Sequence, residues 1–316
     1  MLRVDLNVAK GESWRMKAIL PTIEHITELA SSVTVISHLG RPKGKVLKDL
    51  SLMPLKSKLP KDIELLENLR FDPRENKNDL SLAKELAEGK DVFVNDAFSA
   101  SHRKHSSIVS LPKLLPSCLG PLFKCEIEAL SKDFERPMVM VLGGAKVNTK
   151  LPLVKSFLES CDHVLLGGLI ANAILDEGID ITSTKMHLPV DAVTMEGSCG
   201  VGSVKSYYDI LDIGPDSVEL FREVLKQAKT IIWNGPMGKF EDRRFRQGTL
   251  DLVKVIAGVK ATKIVGGGES VDIIDDLNLE SKFDHISSGG GAMLQFLANG
   301  TLPGIEAIKK SERLES

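Results

Sequence analysis

The stretch Val139–Leu151, VMVLGGAKVNTKL, decides how this chain is read. It opens with a short apolar run, of the length and composition of a buried parallel strand. Gly143 and Gly144 then end the strand and let the backbone approach a ligand with no side chain between. A helical pattern follows at once. In it Lys146 and Lys150 are four residues apart, so on a helix they leave from one face near its first turn. Lysine there opposes the helix dipole, so the pair points to a bound anion, of which phosphate is the commonest. Taken alone, the stretch is equally well read as an ordinary strand-to-helix turn with two solvated lysines.

The same βα rhythm continues toward the N-terminus. MLRVDLNVAKG reads as a strand, Trp14–Leu29 as a helix with Arg15 at its start, and Ser32–Leu39 as a strand running into the basic turn GRPKGK. Ile63–Leu69 is a strand that delivers Arg70, Ser81–Glu88 a helix, and Asp91–Val94 a strand that delivers Asn95, Asp96 and then His102, Arg103 and His105. Parallel sheets hold ligands outside the C-terminal ends of their strands. Asp5, Asn7, Arg15, His38, Arg41, Arg70 and Arg103 therefore gather on one rim. One arginine after a strand is usually surface decoration. Four from separate elements make a site for a multiply charged anion, because guanidinium pairs with carboxylate or phosphate in a bidentate fork. His102 either senses that charge or packs in the loop, and His105 is read as a packed residue.

Toward the C-terminus, the helix-like segment Leu122–Phe134, ended by Glu135-Arg136-Pro137, is the candidate boundary and hinge. His163–Leu166 is a strand ending in Gly167 and Gly168, and Met186–Val190 a strand before a glycine-rich, weakly patterned stretch to Val204. Asp216 and Ser217 are N-cap candidates for the amphipathic helix that follows. The strands Thr230–Trp233, Lys263–Val265 and His285–Ile286 end in NGPMGKFE, GGGES and SSGGGA, turns with few side chains to obstruct a phosphate chain.

Composition sets the outer bounds. With 316 residues the chain has room for two domains or one large α/β unit, and 42% hydrophobic with 27% charged residues is ordinary for a soluble globular protein. A formal net charge of -2 argues against a general nucleic-acid or membrane-surface role. Cys118, Cys125, Cys161 and Cys199 show no CxxC spacing and are expected to be free thiols in a reducing cytoplasm. Neither a signal peptide nor a membrane span is expected.

In order along the chain, RVDLN, SHLGRPKG, LLENLRF, VNDAF, SHRKHSS, LGGAKV, LDIGP, IIWNGPMG, IVGGGES and SSGGGA closely resemble the landmarks of the phosphoglycerate kinase family. The resemblance implies two Rossmann-like, doubly wound parallel-sheet α/β domains joined by a hinge helix. It places a 3-phosphoglycerate-binding domain at residues 1–121, the hinge helix at 122–134, a nucleotide-binding domain at 135–298 and a C-terminal segment, 299–316, returning to the first domain. Carried over, the acid-binding residues are Asp5, Asn7, Arg15, His38, Arg41, Arg70 and Arg103. The nucleotide side has Gly143, Lys146, Lys150, Gly167, Asn234, Glu241, Gly267, Gly268, Glu269 and Ser270, with Glu269 at the position of the magnesium ligand. Arg15, Lys150, Gly290 and Gly291, the last two within Gly289–Gly291 at a helix N-terminus, meet the transferred phosphoryl group. The implied reaction moves a phosphoryl group from 1,3-bisphosphoglycerate to ADP, giving 3-phosphoglycerate and ATP, in a cytoplasmic monomer with no nucleic-acid or membrane partner.

The chain is shorter than the family pattern. The turn between Asn7 and Arg15 is cut to a few residues, Leu52–Ile63 lacks an expected strand and helix, and Ile179–Met186 lacks helical material. Thr149, Leu169, Lys239 and the pair Glu269-Ser270 replace an aspartate, a glycine, an apolar residue and an aspartate-threonine pair. These changes admit a catalytically weak or inactive paralogue that keeps an anion pocket. An NAD-dependent dehydrogenase is the poorer alternative, since no GxGxxG follows an early strand.

Overall fold

A computed structural model describes residues 1–7, 14–177 and 183–312. By contact it divides into Met1–Ser131 with Gln295–Ser316, and Lys132–Leu294. The first cut falls inside the stretch expected as the hinge, and the second falls inside a helix rather than at residue 299.

The first unit contains β1 (Leu2–Arg3), α1 (Trp14–Leu29), β2 (Val33–Ile36), β3 (Ile63–Leu65), α2 (Pro73–Lys77), α3 (Leu80–Ala87), β4 (Phe93–Asn95), β5 (Ser117–Leu119) and α4 (Pro121–Leu130). Its sheet runs β3-β2-β1-β4-β5 with every neighbour parallel, and Leu2 of the central β1 pairs with Val35 on one side and Val94 on the other. Successive residues of β2 face opposite layers, as pleating requires. Val35 packs with Leu2, Ile19 and Ile23 of the α1 layer, and Ile36 with Leu82, Phe93 and Leu111 of the α3 layer. The expected strand and helix between Leu52 and Ile63 are indeed absent; a short 3-10 segment, Met53–Lys58, takes their place and leaves β3 as a sheet edge. β5 escaped the sequence reading because three partly exposed residues carry no period to read.

The second unit contains β6 (Met138–Leu142), α5 (Val147–Ser160), β7 (His163–Leu166), α6 (Gly168–Glu177), β8 (Met186–His187), β9 (Asp191–Thr194), β10 (Gly197–Gly200), β11 (Asp212–Ile213), α7 (Pro215–Leu225), β12 (Thr230–Asn234), α8 (Gln247–Gly258), β13 (Thr262–Gly266), α9 (Gly268–Asp276) and β14 (His285–Ser287). α10 (Gly290–Asn299) spans the second cut, and α11 (Pro303–Glu312) belongs to the first unit, where Gly304 N–H donates to Ser101 O at 2.9 Å. The main sheet, β14-β13-β12-β6-β7-β8, is all parallel, and Val139, Val141, Ile231, Trp233 and Val265 bury one face of it against Phe221 and Leu252.

Beside that sheet lies a small antiparallel one, β10-β9-β11, which the sequence reading did not resolve. The strand expected over Met186–Val190 stops at His187, and Pro189, with no N–H to give to a ladder, separates it from β9. Two buried carboxylates tie the small sheet to helices. Asp191 accepts from Ser217 N at 2.8 Å and Asp216 N at 3.0 Å at the start of α7. Asp216 and Ser217 are thus first-turn residues, Gly214 holds the cap position, and the capping carboxylate comes from β9. Asp212 accepts from Gly248 N of α8 at 2.8 Å, and burial pushes its carboxyl up to about 7. The turn between Asn7 and Arg15 and part of Ile179–Met186 lie outside the described residues.

Candidate active site

On the first unit, four of the anion-binding candidates, Asp5, Asn7, Arg15 and Arg70, form one hydrogen-bonded chain with Gly40 beyond the C-terminal ends of the strands. Beyond β1, Asp5 Oδ1 accepts from Asn7 N at 2.9 Å, its Oδ2 accepts from Ser99, and Arg15 Nε lies 3.6 Å from that Oδ2. Arg15 also donates to Asn7 O at 3.2 Å and lies over the Trp14 ring, 4.5 Å from its centroid. Asn7 Oδ1 accepts from Gly40 N at 2.8 Å, and Gly40 O accepts from Arg70 Nη1 at 2.8 Å. Gly40 holds a φ of +61°, which glycine adopts freely, so the basic turn can fold back onto Asn7.

Burial comes first, and the neighbouring cations second, in lowering the basic groups of this cluster. Burial, with help from Arg3 and Arg103, lowers the Arg70 guanidinium to about 10. Burial, and after it Arg41, also lowers Arg103. His38 is held well below its ordinary value, first by burial and then by Arg3, Arg70, His105 and Arg103, so it is neutral at pH 7. His105 is lowered to about 3, first by burial and then by Arg70, Arg103, Arg3 and His102. It is buried, with Nδ1 3.7 Å from Glu75 Oε1, in keeping with its reading as a packed residue. Asn95 and Asp96 are structural: Asn95 binds Ser101 Oγ at 3.0 Å, and Asp96 accepts from Phe123 N at 2.9 Å at the start of α4.

On the second unit, backbone does the corresponding work. The turn after β6 packs against the turn after β12, with Gly143 N donating to Asn234 O at 3.0 Å and Gly144 N to Pro236 O at 2.7 Å. A Cβ on Gly143 would meet Pro236 O at 2.1 Å, so only glycine fits. Gly167 N donates to Leu142 O at 3.0 Å and Gly168 N to Met237 O at 2.7 Å. Asn234 Nδ2 donates to Gly290 O at 3.1 Å, Gly235 N to Ser270 Oγ at 2.8 Å, and a Cβ on Gly290 would lie 2.5 Å from Gly267 Cα. The ends of β6, β7, β12, β13 and β14 are thereby locked together, with the N-termini of α9 and α10 beside them. Gly268 opens α9, Gly291 lies exposed in the first turn of α10, and Glu241 is exposed on the loop after β12.

The two lysines do not leave α5 from one face. Lys146 is the exposed N-cap residue, with non-helical φ −88° and ψ 61°. Lys150 is buried and turned back, Nζ donating to Gly143 O at 2.6 Å and Asn234 O at 3.2 Å. Burial, then Lys146, lowers its ammonium to about 7, and Glu269 opposes the shift. Glu269, in the first turn of α9, is thus an exposed carboxylate whose charge is felt at Lys150. Among the described residues no three His, Cys, Asp or Glu side chains gather into a metal-holding group. A single carboxylate beside glycine turns suits magnesium arriving on phosphates, since that ion is commonly held by one or two carboxylates plus the phosphates themselves. Thr149, Leu169 and Lys239 are all exposed, and the Thr149 hydroxyl donates to Lys146 O at 3.0 Å.

Sequence reasoning missed Arg3, Glu75, Ser37 and Ser107, which lie behind the rim. The one available signal was a charged residue, Arg3, inside a strand that reads as central.

Two parallel-sheet units, one carrying a ring of cationic side chains and the other a set of glycine turns with a buried lysine, define a two-unit α/β protein that handles phosphorylated anions. The family model described as phosphoglycerate kinase matches residues 1–64, 55–183 and 177–300. The phosphoglycerate kinases of Herpetosiphon aurantiacus and Moorella thermoacetica are each 36% identical, with alignments that cover 98% of this chain and 95% of the relative. The first of those alignments runs over 375 positions against 316 residues, so the relatives carry segments this chain lacks. The solved phosphoglycerate kinase of Pyrococcus horikoshii superposes with a TM-score of 0.82 at 32% identity, covering 99% of this chain and 96% of that one. That of Coxiella burnetii gives 0.78 at 33%, covering 98% and 95%. The chain belongs to the phosphoglycerate kinase family.

Proposed function

We infer that the chain transfers the acyl phosphate of 1,3-bisphosphoglycerate to ADP, giving 3-phosphoglycerate and ATP, and runs the reverse reaction. The observation that carries this reading is the chemical difference between the units of a member of this family, clustered cationic side chains on one and glycine turns with a buried lysine on the other. Asp5, Asn7, Arg15, His38, Arg41, Arg70 and Arg103 hold the three-carbon acid. Guanidinium forks recognise its carboxylate and phosphate, and the neutral His38 donates without adding a charge. Gly143, Lys146, Gly167, Asn234, Glu241, Gly267, Gly268 and Ser270 hold the nucleotide, with the glycine turns admitting its phosphate chain.

Phosphoryl transfer asks the protein for position and cationic charge rather than for covalent chemistry. Arg15, Lys150 and the N–H groups at Gly290 and Gly291 stabilise the charge on the moving phosphoryl oxygens. Magnesium, when bound with the nucleotide beside Glu269, neutralises phosphate charge. The leaving group in the ATP-forming direction is a carboxylate, stable on its own, so no general acid is needed. Transfer requires the units to approach when both ligands are bound, which also excludes water as a competing acceptor. Lys150 must then leave the carbonyls of Gly143 and Asn234 for a phosphate oxygen. The chain acts in the cytoplasm as a monomer; among the described residues no helix is long and apolar enough to cross a membrane. A coupled assay of ATP formation from 1,3-bisphosphoglycerate and ADP tests the reaction, and nucleotide binding without turnover would instead identify an inactive paralogue.

A further inference from the structure

Behind the cationic rim lies a buried polar network that the transfer chemistry does not use. Arg3, in the central strand β1, has a side chain 1% exposed, and Glu75, in α2, is 0% exposed. A guanidinium has five N–H donors and no acceptor. Arg3 donates through Nε to Ser107 Oγ at 3.3 Å, through Nη1 to Val4 O and to Ser37 Oγ at 3.3 Å, and through Nη2 to His38 Nδ1 at 3.0 Å.

The hydroxyls fix the direction of every bond. Ser107 Oγ donates to Glu75 Oε1 at 2.6 Å, so it accepts from Arg3, and Ser107 N donates to Glu75 Oε2 at 2.9 Å. Ser37 Oγ donates to Val4 O at 2.8 Å, so it accepts from Leu6 N at 2.8 Å and from Arg3. Glu75 supplies the negative charge that a buried guanidinium needs, one hydroxyl away. Because arginine cannot accept, His38 Nδ1 must, and the proton of the neutral ring then sits on Nε2. The charged and titratable groups around this ring are Arg3 on β1, Arg70 after β3, and Arg103 and His105 after β4. Three are cations and His105 is itself neutral, so a second proton on the ring would meet only like charge and would break the bond to Arg3.

We propose that Arg3, anchored to Glu75 through Ser107, is a positioning residue that locks His38 as the neutral Nε2–H tautomer, so that the ring offers the anionic substrate a fixed, uncharged donor. The consequence is a rim whose own charge stays level through neutral pH, since its cations are guanidiniums. The assignment of the acid to this rim rests on the function proposed above; the tautomer does not.

The test uses the full chain labelled with 15N-histidine and two-bond 1H–15N correlation spectra from pH 6 to 8, with His38→Gln identifying the His38 signals by their loss. The expected pattern is an unprotonated Nδ1, a protonated Nε2 and no titration across that range, with no substrate present. An Nδ1–H ring, or a ring that titrates near the ordinary value of about 6.5, overturns the proposal. The double variant Arg3→Met/Glu75→Gln removes the lock without leaving one buried charge unpaired. It is expected to let His38 populate both neutral tautomers and to weaken 3-phosphoglycerate about tenfold at pH 8, the size of one hydrogen bond to a charged group, while KM for ADP stays put. A folded double variant with His38 still protonated on Nε2 alone and unchanged affinity overturns the positioning role; if that variant does not fold, the tautomer in the parent chain decides alone. Failure of the function reading would appear differently, as a locked tautomer in a protein that does not bind the acid.

Discussion

The rim of the first unit is made of side chains and that of the second of backbone. In the first, Asp5, Asn7 and Gly40 hold Arg15 and Arg70 by hydrogen bonds of 2.8–3.2 Å and one ion pair at 3.6 Å, so direction and charge are fixed by neighbouring groups of the rim itself. In the second, Gly143, Gly235 and Gly290 could carry no Cβ without collision, and Lys150 is a buried cation beside them. The contrast suits the two ligands. A small acid with charge at both ends is recognised by forks of set geometry, whereas a polyphosphate needs close approach to N–H groups and helix N-termini. The two sites should therefore fail in different ways.

The largest effect is expected at Arg15. Arg15→Ala should lower kcat on the order of a thousandfold or more, since an arginine acting on phosphoryl-transfer charge is worth that much, while the dissociation constant for 3-phosphoglycerate changes far less. Loss of affinity matching the loss of rate would make Arg15 one more binding residue.

A backbone lesion is expected to be smaller and confined to the nucleotide side. Gly235 holds a φ of +95°, and a Cβ there would lie 2.5 Å from Gly143 O and 2.8 Å from Lys150 Nζ. Gly235→Ala should weaken ADP roughly tenfold to a hundredfold, from about 1–3 kcal/mol of local strain, and leave 3-phosphoglycerate affinity unchanged in calorimetry. Equal weakening of both ligands would show that the two sites are not independently built.

The same contrast governs what the sequence could reveal. Glycine runs after apolar strands are visible as written, because the turn is local and its requirement for no side chain is absolute. Arginines at strand ends are visible as candidates, because β/α alternation fixes which end of the sheet they reach. What holds them is not visible. Glu75 and Ser107 are 32 residues apart and meet only once α2 packs on the loop after β4. Lys150 matches a helical face in sequence, yet its ammonium folds back to backbone carbonyls, a choice that burial makes and periodicity cannot express. Asp191 capping α7 from 25 and 26 residues away is the same kind of long-range fact.

Glu269→Gln isolates the metal side. Removing the charge while keeping the shape should raise the magnesium concentration for half-maximal rate roughly two- to fivefold, the scale of an exposed charge contact, with 3-phosphoglycerate binding untouched. Glu269→Asp should be tolerated. An unchanged metal dependence in Glu269→Gln would remove this residue from the metal position.

The smallest effect is a proton count at Lys150, and it separates the sites cleanly because no guanidinium can show it. Its ammonium is lowered to about 7 in the folded chain from 10.5, chiefly by burial. Between those values the unfolded chain binds the proton and the folded one does not, so this group makes stability rise with pH across that window and fall as pH drops back through 7. A nucleotide phosphate within reach favours the charged form and raises the group again. Nucleotide binding at pH 8 should therefore take up as much as about one proton, while at pH 6, where Lys150 is already charged, the uptake should vanish. Calorimetric titration of magnesium-ADP in two buffers of different ionisation enthalpy measures the count. Lys150→Met should abolish the difference between the two pH values, whereas 3-phosphoglycerate binding should show no such uptake at either. An uptake at pH 8 that survives Lys150→Met would place the titrating group elsewhere, and an absent uptake in the parent chain would mean that the lysine stays on its two carbonyls when nucleotide is bound.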